Sequence, residues 1–215
     1  VADTQVPPFN AKKRLVVRNL PDASLLTQSA QLSSTPTAIY IGDVRKSRGL
    51  FTILESAEKA PSWKFEIIGN VSALDAAAVE EWKKNSSARE RVTFHGRLAP
   101  RDAWKFAADA WVGLTLLEST PAFVEAVPSK LYEYMSCGLA TISTPLPRCI
   151  ALVEQSGGGK IAHDSSDVAA LLNHWQSHPD EISAIRTSAR RWATENLDSE
   201  REYGAFVEGI RSLSR

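Results

Sequence analysis

The feature that most limits what this chain can fold into is a repeated succession of a short apolar run, a polar loop and an apolar pattern at helical spacing. The first run, Ala38-Ile39-Tyr40-Ile41-Gly42, ends in glycine and has the signature of a buried strand. Leu50, Ile53, Leu54 and Ala57 follow at helical spacing between Gly49 and Ala60. The succession returns as a strand over Phe65–Gly69 with a helix over Ala73–Lys84, then a strand over Val92–Gly96 with a short helix over Asp102–Ala108. A fourth strand over Trp111–Leu116 leads through a long loop to a helix over Leu131–Ser136, closed by Gly138. Ala140–Ser143 is the fifth strand, Gly159–Ala162 a weak sixth, and helical pattern dominates from Asp167 to Leu213. Several strands are apolar on both faces, as in parallel strands covered by helices on both sides. The expected fold is therefore α/β, a Rossmann-like, doubly wound parallel sheet of about six strands with helices on both faces. Such sheets bind ligands outside the carboxyl ends of their strands, which directs attention to the loops after Gly42, Gly69, Gly96, Leu117 and Ser143.

Charge excludes several partners. Lys plus Arg and Asp plus Glu are 25 each in 215 residues, so no basic excess exists to hold a nucleic-acid polymer or an anionic membrane by bulk charge. An anionic ligand must be met by a local cluster. No apolar run approaches the roughly 18 to 20 residues of a membrane span. The two cysteines, Cys137 and Cys149, have no metal-ligand or disulfide-scaffold spacing, and Cys137 reads as a small core residue, so a reduced, cytoplasmic compartment is expected. Residues 1–36 are polar and irregular apart from one β-type run, Arg14–Arg18, and read as a linker carrying an extension. The start at Val1, without a signal-peptide pattern, reads as a piece of a longer protein.

Familiar catalytic signatures are missing. There is no G-x-G-x-x-G after the first strand and no G-x-S-x-G elbow. Gly157-Gly158-Gly159-Lys160 is not a phosphate loop, because Ile161 follows the lysine and Glu154 stands at the first glycine position, so a flexible turn is expected there. No Asp-x-Asp pair and no histidine set supplies a metal clamp; His174 and His178 share a helix face without an accompanying carboxylate, and no metal is expected. The six tryptophans are scattered and offer no stacking platform for single-stranded nucleic acid.

Two segments carry chemistry. Asp43-Val44-Arg45-Lys46-Ser47-Arg48, after Gly42, puts three cations at a strand end leading into a helix, an arrangement that fits either a solvated turn or a phosphate-binding loop. In Glu125-Ala126-Val127-Pro128-Ser129-Lys130-Leu131-Tyr132-Glu133, two carboxylates flank a helix start, with Pro128 early and Ser129 in a capping position. Acceptors on either side of a positive helix end suit a ligand with hydroxyls at both ends and phosphates in the middle, as a nucleotide sugar has. Tyr132 and Tyr134 read as packing residues.

The second segment resembles the E-x7-E region of the retaining GT-B glycosyltransferases, glycosyltransferase group 1. Tyr40-Ile41-Gly42 with Arg48-Gly49-Leu50, Phe65–Gly69, Arg91–Gly96 and Cys137–Ile142 resemble further family motifs in the same order, and Trp192–Leu213 resembles the helix closing such chains. The resemblance runs from about Arg14 to the end and covers only the second, donor-binding half of a GT-B fold. It implies 1–36 as linker and remnant of an absent N-terminal half, 37–197 as the nucleotide-sugar-binding domain and 198–215 as the C-terminal helix. It implies a nucleoside diphosphate sugar as substrate, no cofactor, the N-terminal half of the same enzyme and an acceptor as partners, and work in the cytoplasm or at the inner face of the membrane in glycan, polysaccharide or glycolipid synthesis. Carried over by position, Glu125 holds hydroxyls of the transferred sugar and Arg48 contacts the diphosphate, as the catalytic pair. Glu133 accepts from the ribose, Ser129 and Lys130 assist at the helix start, Gly42, Arg45 and Lys46 line the first loop, and Gly96, Arg97 and Leu98 face the base. Asp43 stands where the family commonly has Arg, and Ala126-Val127-Pro128 where many members have Phe-Gly-Leu. The alternatives are a GT-B sugar-nucleotide epimerase and a Rossmann-like module that binds a nucleotide without chemistry.

Overall fold

The computed structural model describes residues 17–29 and 31–212. Six strands form one sheet: β1 (Thr37–Ile41), β2 (Lys64–Ile68), β3 (Val92–Gly96), β4 (Val112–Thr115), β5 (Ala140–Ser143) and β6 (Gly159–Ile161). Every pairing is parallel and the spatial order is β3-β2-β1-β4-β5-β6. This is the expected Rossmann-like, doubly wound sheet. The order reverses between β1 and β4, whose register sets Ala38 beside Val112 and Ile39 beside Gly113. The ligand crevice of such a sheet opens above that reversal.

Helices cover both faces: α1 (Leu50–Lys59), α2 (Ala76–Asn85), α3 (Pro100–Lys105), α4 (Ser129–Cys137), α5 (Pro147–Ser156), α6 (Ser165–Ser177), α7 (Pro179–Asn196) and α8 (Ser199–Arg211). Strand alternation decides which residues meet which helices. Ala38 and Tyr40 of β1 join one core with Leu50, Ile53 and Leu54 of α1 and Leu172 and Trp175 of α6. Ile39 and Ile41 join the opposite core with Trp104 of α3 and Tyr134 and Cys137 of α4. Trp63 is fully buried, donates Nε1–H to the Leu172 carbonyl at 2.9 Å and meets Trp111 edge-on at 5.6 Å. Burial pushes the Cys137 thiol up to about 12, which agrees with a core role.

Three expectations need correction. Pro147–Ser156, a stretch to which the sequence reading assigned no element, is α5: Pro147 occupies its first turn, and Gly157 closes it in the left-handed conformation. The glycine run is therefore a helix cap leading into β6, with Gly158 and Gly159 buried, and not a flexible turn. The closing stretch is not one helix from Trp192, because α7 ends at Asn196 and α8 restarts behind Asp198, which accepts from the Arg201 N–H at 2.9 Å. Of the β-type run Arg14–Arg18, the first three residues lie outside the described residues, and Val17 and Arg18 are not in a strand. The segment before β1 is anchored on the domain at two points: Leu20 and Ser29 are buried, and Ser29 N–H donates to the Cys137 carbonyl at 2.8 Å.

Candidate functional site

The β1–α1 loop is built around a left-handed glycine. Gly49, at φ 87°, caps both the 3-10 turn Lys46–Arg48 and α1. A Cβ there would run into the Leu116 carbonyl, so the loop is pressed against the end of β4, and Ser47 accepts from the Glu118 N–H at 3.0 Å. Asp75 accepts from the Lys46 N–H at 3.0 Å, fixing the loop from the other side. The three cations diverge in their partners. Arg45 donates to Asp43 at 2.7 Å, Arg48 stands 3.9 Å from the same carboxylate, and the Lys46 side chain has no such partner among the described residues. The Arg48 guanidinium also lies 5.7 Å from the centre of the Phe123 ring, and its Nε is buried with no hydrogen-bond acceptor. Tyr40, whose hydroxyl burial pushes up to about 12, donates to the Asp43 carbonyl at 2.7 Å and shapes the turn below them.

Helix α4 begins differently from expectation. Pro128 is its cap residue and Ser129 its first helical residue, so the Ser129 hydroxyl makes no capping bond. Leu131 N–H already bonds the Pro128 carbonyl at 3.0 Å, while Ser129 and Lys130 are the residues whose N–H groups precede any intrahelical acceptor. The helix is locked to the sheet from beneath: the buried Tyr134 hydroxyl accepts from the Ile41 N–H at 2.9 Å. Lys130 reaches Glu133 at 2.8 Å, with its ammonium 5.1 Å above the Trp104 ring. It also reaches the β1 turn, because a Cβ built on Gly42 would lie 3.8 Å from Lys130 Cε. Gly42, Lys130 and Glu133 are thus brought together, with Arg48 and Phe123 in the adjoining loops. Glu125 sits in the turn before α4, exposed and without a partner among the described residues.

Gly96, Arg97 and Leu98 lie at the far end of the crevice, at the end of the edge strand β3 and in the loop that follows it. Strands spaced about 4.8 Å apart put this end roughly 10 Å from Gly42. Gly96 accepts from the Gly69 N–H at 2.8 Å, Leu98 packs on the core that contains Trp104, and Arg97 is exposed. His95 pairs with Glu66 at 2.5 Å and packs on Phe106. On the other side of β4, a hollow of about 220 Å³ opens above β4, β5 and β6; Thr144, among its lining residues, has a buried Oγ1 without a partner. Sequence reasoning passed over Phe123, Trp104, Asp75 and the hydroxyl of Tyr134. Their only signal was aromatic or acidic character close to a flagged loop. Among the described residues, no three His, Cys, Asp or Glu side chains converge as a metal would need, and no helix is long and apolar enough to cross a membrane.

Comparison with known proteins adds the following. A family model described as "Glycosyl transferase-like" matches residues 48–203. No curated protein sequence matches the chain. Among solved structures, Anabaena Alr3699/HepE in complex with UDP and glucose superposes with a TM-score of 0.76 at 16% identity, covering 91% of this chain and 56% of that one. Sucrose-phosphate synthase from Thermosynechococcus elongatus gives 0.73 at 15% identity over 90% of this chain and 51% of that one. The C-terminal domain of the glycosyl transferase group 1 family protein LpcC from Francisella tularensis gives 0.70 at 15% identity, over 82% of this chain and 97% of that domain. The chain thus spans about half the length of the first two and nearly the whole of an isolated C-terminal domain. The fold is that of the C-terminal half of GT-B glycosyltransferases.

Proposed function

The chain belongs to the glycosyl transferase-like family, and from that premise we propose that it is the donor-binding half of a retaining glycosyltransferase. The observation that carries this reading is the meeting of the β1 turn and the start of α4 above the β1–β4 reversal, where Gly42, Lys130 and Glu133 come together. A nucleoside diphosphate sugar lies across the strand ends, its base over Gly96–Leu98 and its diphosphate at the start of α4. The ligands named for the Anabaena structures, UDP with glucose and UDP-glucose, support that class. When the bond from the anomeric carbon to the diphosphate breaks, negative charge builds on the departing phosphate oxygen. Arg48, Lys130 and the Ser129 and Lys130 N–H groups meet that charge with fixed positive ends, and no metal is required. The acceptor hydroxyl, presented by the N-terminal half of a longer enzyme, forms the new bond to the anomeric carbon and gives its proton to the departing phosphate oxygen. Glu125 and Glu133 act as positioning acceptors and not as a glycosidase pair.

The two glutamates give the test. Ribose is present in a nucleoside diphosphate and in a nucleotide sugar, whereas the sugar hydroxyls exist only in the latter. Glu133→Gln is expected to weaken UDP and UDP-glucose alike, by about fivefold, since an amide oxygen is a poorer acceptor than a carboxylate. Glu125→Gln should weaken UDP-glucose by a similar factor and leave UDP unchanged. Glu133→Gln also frees the Lys130 ammonium, but both ligands carry the diphosphate, so that gain cancels from their ratio. Titration calorimetry in chelator-containing buffer reads both ratios. An equal loss of both ligands on Glu125→Gln overturns its role on the sugar side, and binding that appears only with added Mg²⁺ overturns the metal-free reading.

A further inference from the structure

A second hollow lies away from the crevice. A cavity of about 730 Å³ lies between α7 and the segment before β1, lined in part by Ser29, Leu32, Gly138, Arg186, Arg190 and Arg191. Ser29 bonds the Ala108 and Ala110 carbonyls just ahead of β4, and Gly138 lies just ahead of β5, so the cavity sits at the amino ends of the strands, opposite the crevice. Its volume falls within the roughly 300 to 1,000 Å³ usual for small-molecule sites.

Its three arginines lie together, apart from its two carboxylates. Arg186 is only 6% exposed, yet its partners are all neutral: the Gly138 carbonyl at 2.8 Å, the Ser29 carbonyl at 3.1 Å and the Ser29 hydroxyl at 2.6 Å. Arg190, one helical turn on, donates to the same Ser29 carbonyl, and its Nε is buried with no acceptor. Among the described residues, neither arginine, nor Arg191 beside them, has a carboxylate within ion-pair distance; Asp180 and Glu195 line the cavity without reaching them. Burial, and then the neighbouring charge of Arg190, hold the Arg186 guanidinium down to about 10. Buried cations are ordinarily paired, and carbonyl oxygens carry only partial charge. Three neighbouring guanidiniums without a carboxylate partner are groups that a ligand oxyanion would neutralise.

We propose that this cavity is a second ligand site, which takes a small phosphate-bearing molecule on Arg190 and Arg191 with Arg186 behind them. The phosphate pairs with the Arg190 and Arg191 guanidiniums, while Leu32 and Pro179 give the body of the ligand apolar wall. Three clustered cations favour a multiply charged oxyanion over a single carboxylate. Because the site lies across the sheet from the crevice, its filling is separable from donor binding.

The probe is inorganic phosphate, titrated calorimetrically at fixed ionic strength, with UDP filling the crevice, into the parent chain and into Arg190→Gln and Arg191→Gln. The expected result is saturable binding that falls at least tenfold in Arg190→Gln and about threefold in Arg191→Gln. Circular dichroism checks folding, because Arg190 also holds the Ser29 carbonyl; should that variant unfold, the exposed Arg191 decides alone. Absence of saturable binding, or Arg190→Gln and Arg191→Gln proteins that bind as the parent does, would each overturn the site.

Discussion

Gly113→Val is expected to cost the domain about 3 kcal/mol or more of stability, the upper range for forcing extra carbons into a filled core. Gly113 lies in β4, beside Ile39 of β1, and the Tyr134 ring covers it. A Cβ at this position would fall on the ring, well under 3.0 Å from three of its carbons, and valine adds two methyls beyond that. The ring has nowhere to go. It is fully buried, lies edge-on to Trp104 at 5.7 Å, and its hydroxyl takes the Ile41 N–H. Moving it would leave that N–H buried without an acceptor, at about 1 to 3 kcal/mol. The conflict is therefore pairwise and can be isolated. Gly113→Ala and Tyr134→Ala should each destabilise, but the double variant should lose at least 1 kcal/mol less than their sum, because the ring that clashes has been removed. Urea unfolding of the four proteins gives the coupling. A Gly113→Val protein within 0.5 kcal/mol of its parent would show that α4 can shift on the sheet. In that case the start of α4 would not be held in place by Tyr134.

That contact also marks where sequence reading stops. Strand β5 is legible to the residue, since Ala140–Ser143 is bounded by Gly138 on one side and Pro145 on the other. Parallel pairing is legible from β1, where Ala38, Ile39, Tyr40 and Ile41 are apolar in succession because both faces are buried. Helix α5 went unassigned because prolines such as Pro145 and Pro147 ordinarily interrupt helices, whereas Pro147 belongs to the first turn, where a missing N–H costs nothing. Cys149, Leu152 and Val153 are buried on one face, and that spacing was present to be found. Tyr134 could be placed in the core but not on the Ile41 N–H, because that bond joins residues 93 apart in the chain. The pairing of Arg48 with Phe123 and Asp43 was also out of reach, because loop conformation, and not periodicity, brings those side chains together. Glu125, being exposed, rests on position in the motif and gains no packing argument from the fold.

Arg48→Ala should weaken nucleoside diphosphate binding by about 1.5 to 3 kcal/mol, the range for a charge-assisted hydrogen bond, which is roughly 10- to 150-fold. The size follows from what holds Arg48 when no phosphate is bound. Its carboxylate neighbour, Asp43, is 3.9 Å away and shared with Arg45, which is closer at 2.7 Å. An exposed pair of that length is worth well under 1 kcal/mol. The Phe123 ring orients the guanidinium without neutralising it, and Nε has no acceptor. Little is therefore given up when a diphosphate takes the side chain, and most of the new contact appears as affinity. Arg48→Lys should keep most of it, because the charge remains at the loop end and only the fork is lost. Asp43→Asn separates attraction from competition. If Asp43 acts as a resident anion beside Arg45 and Arg48, its neutralisation should tighten the diphosphate by about two- to threefold, a few tenths of a kcal/mol as befits an exposed charge. The three variants, titrated with UDP at two ionic strengths, give an ordered result: Asp43→Asn tightest, then parent, then Arg48→Lys, then Arg48→Ala. The gap between parent and Asp43→Asn should shrink in high salt, because an exposed charge is screened. An Arg48→Ala protein that binds UDP as well as its parent would remove Arg48 from the diphosphate site and leave α4 and Lys130 as its only cationic wall.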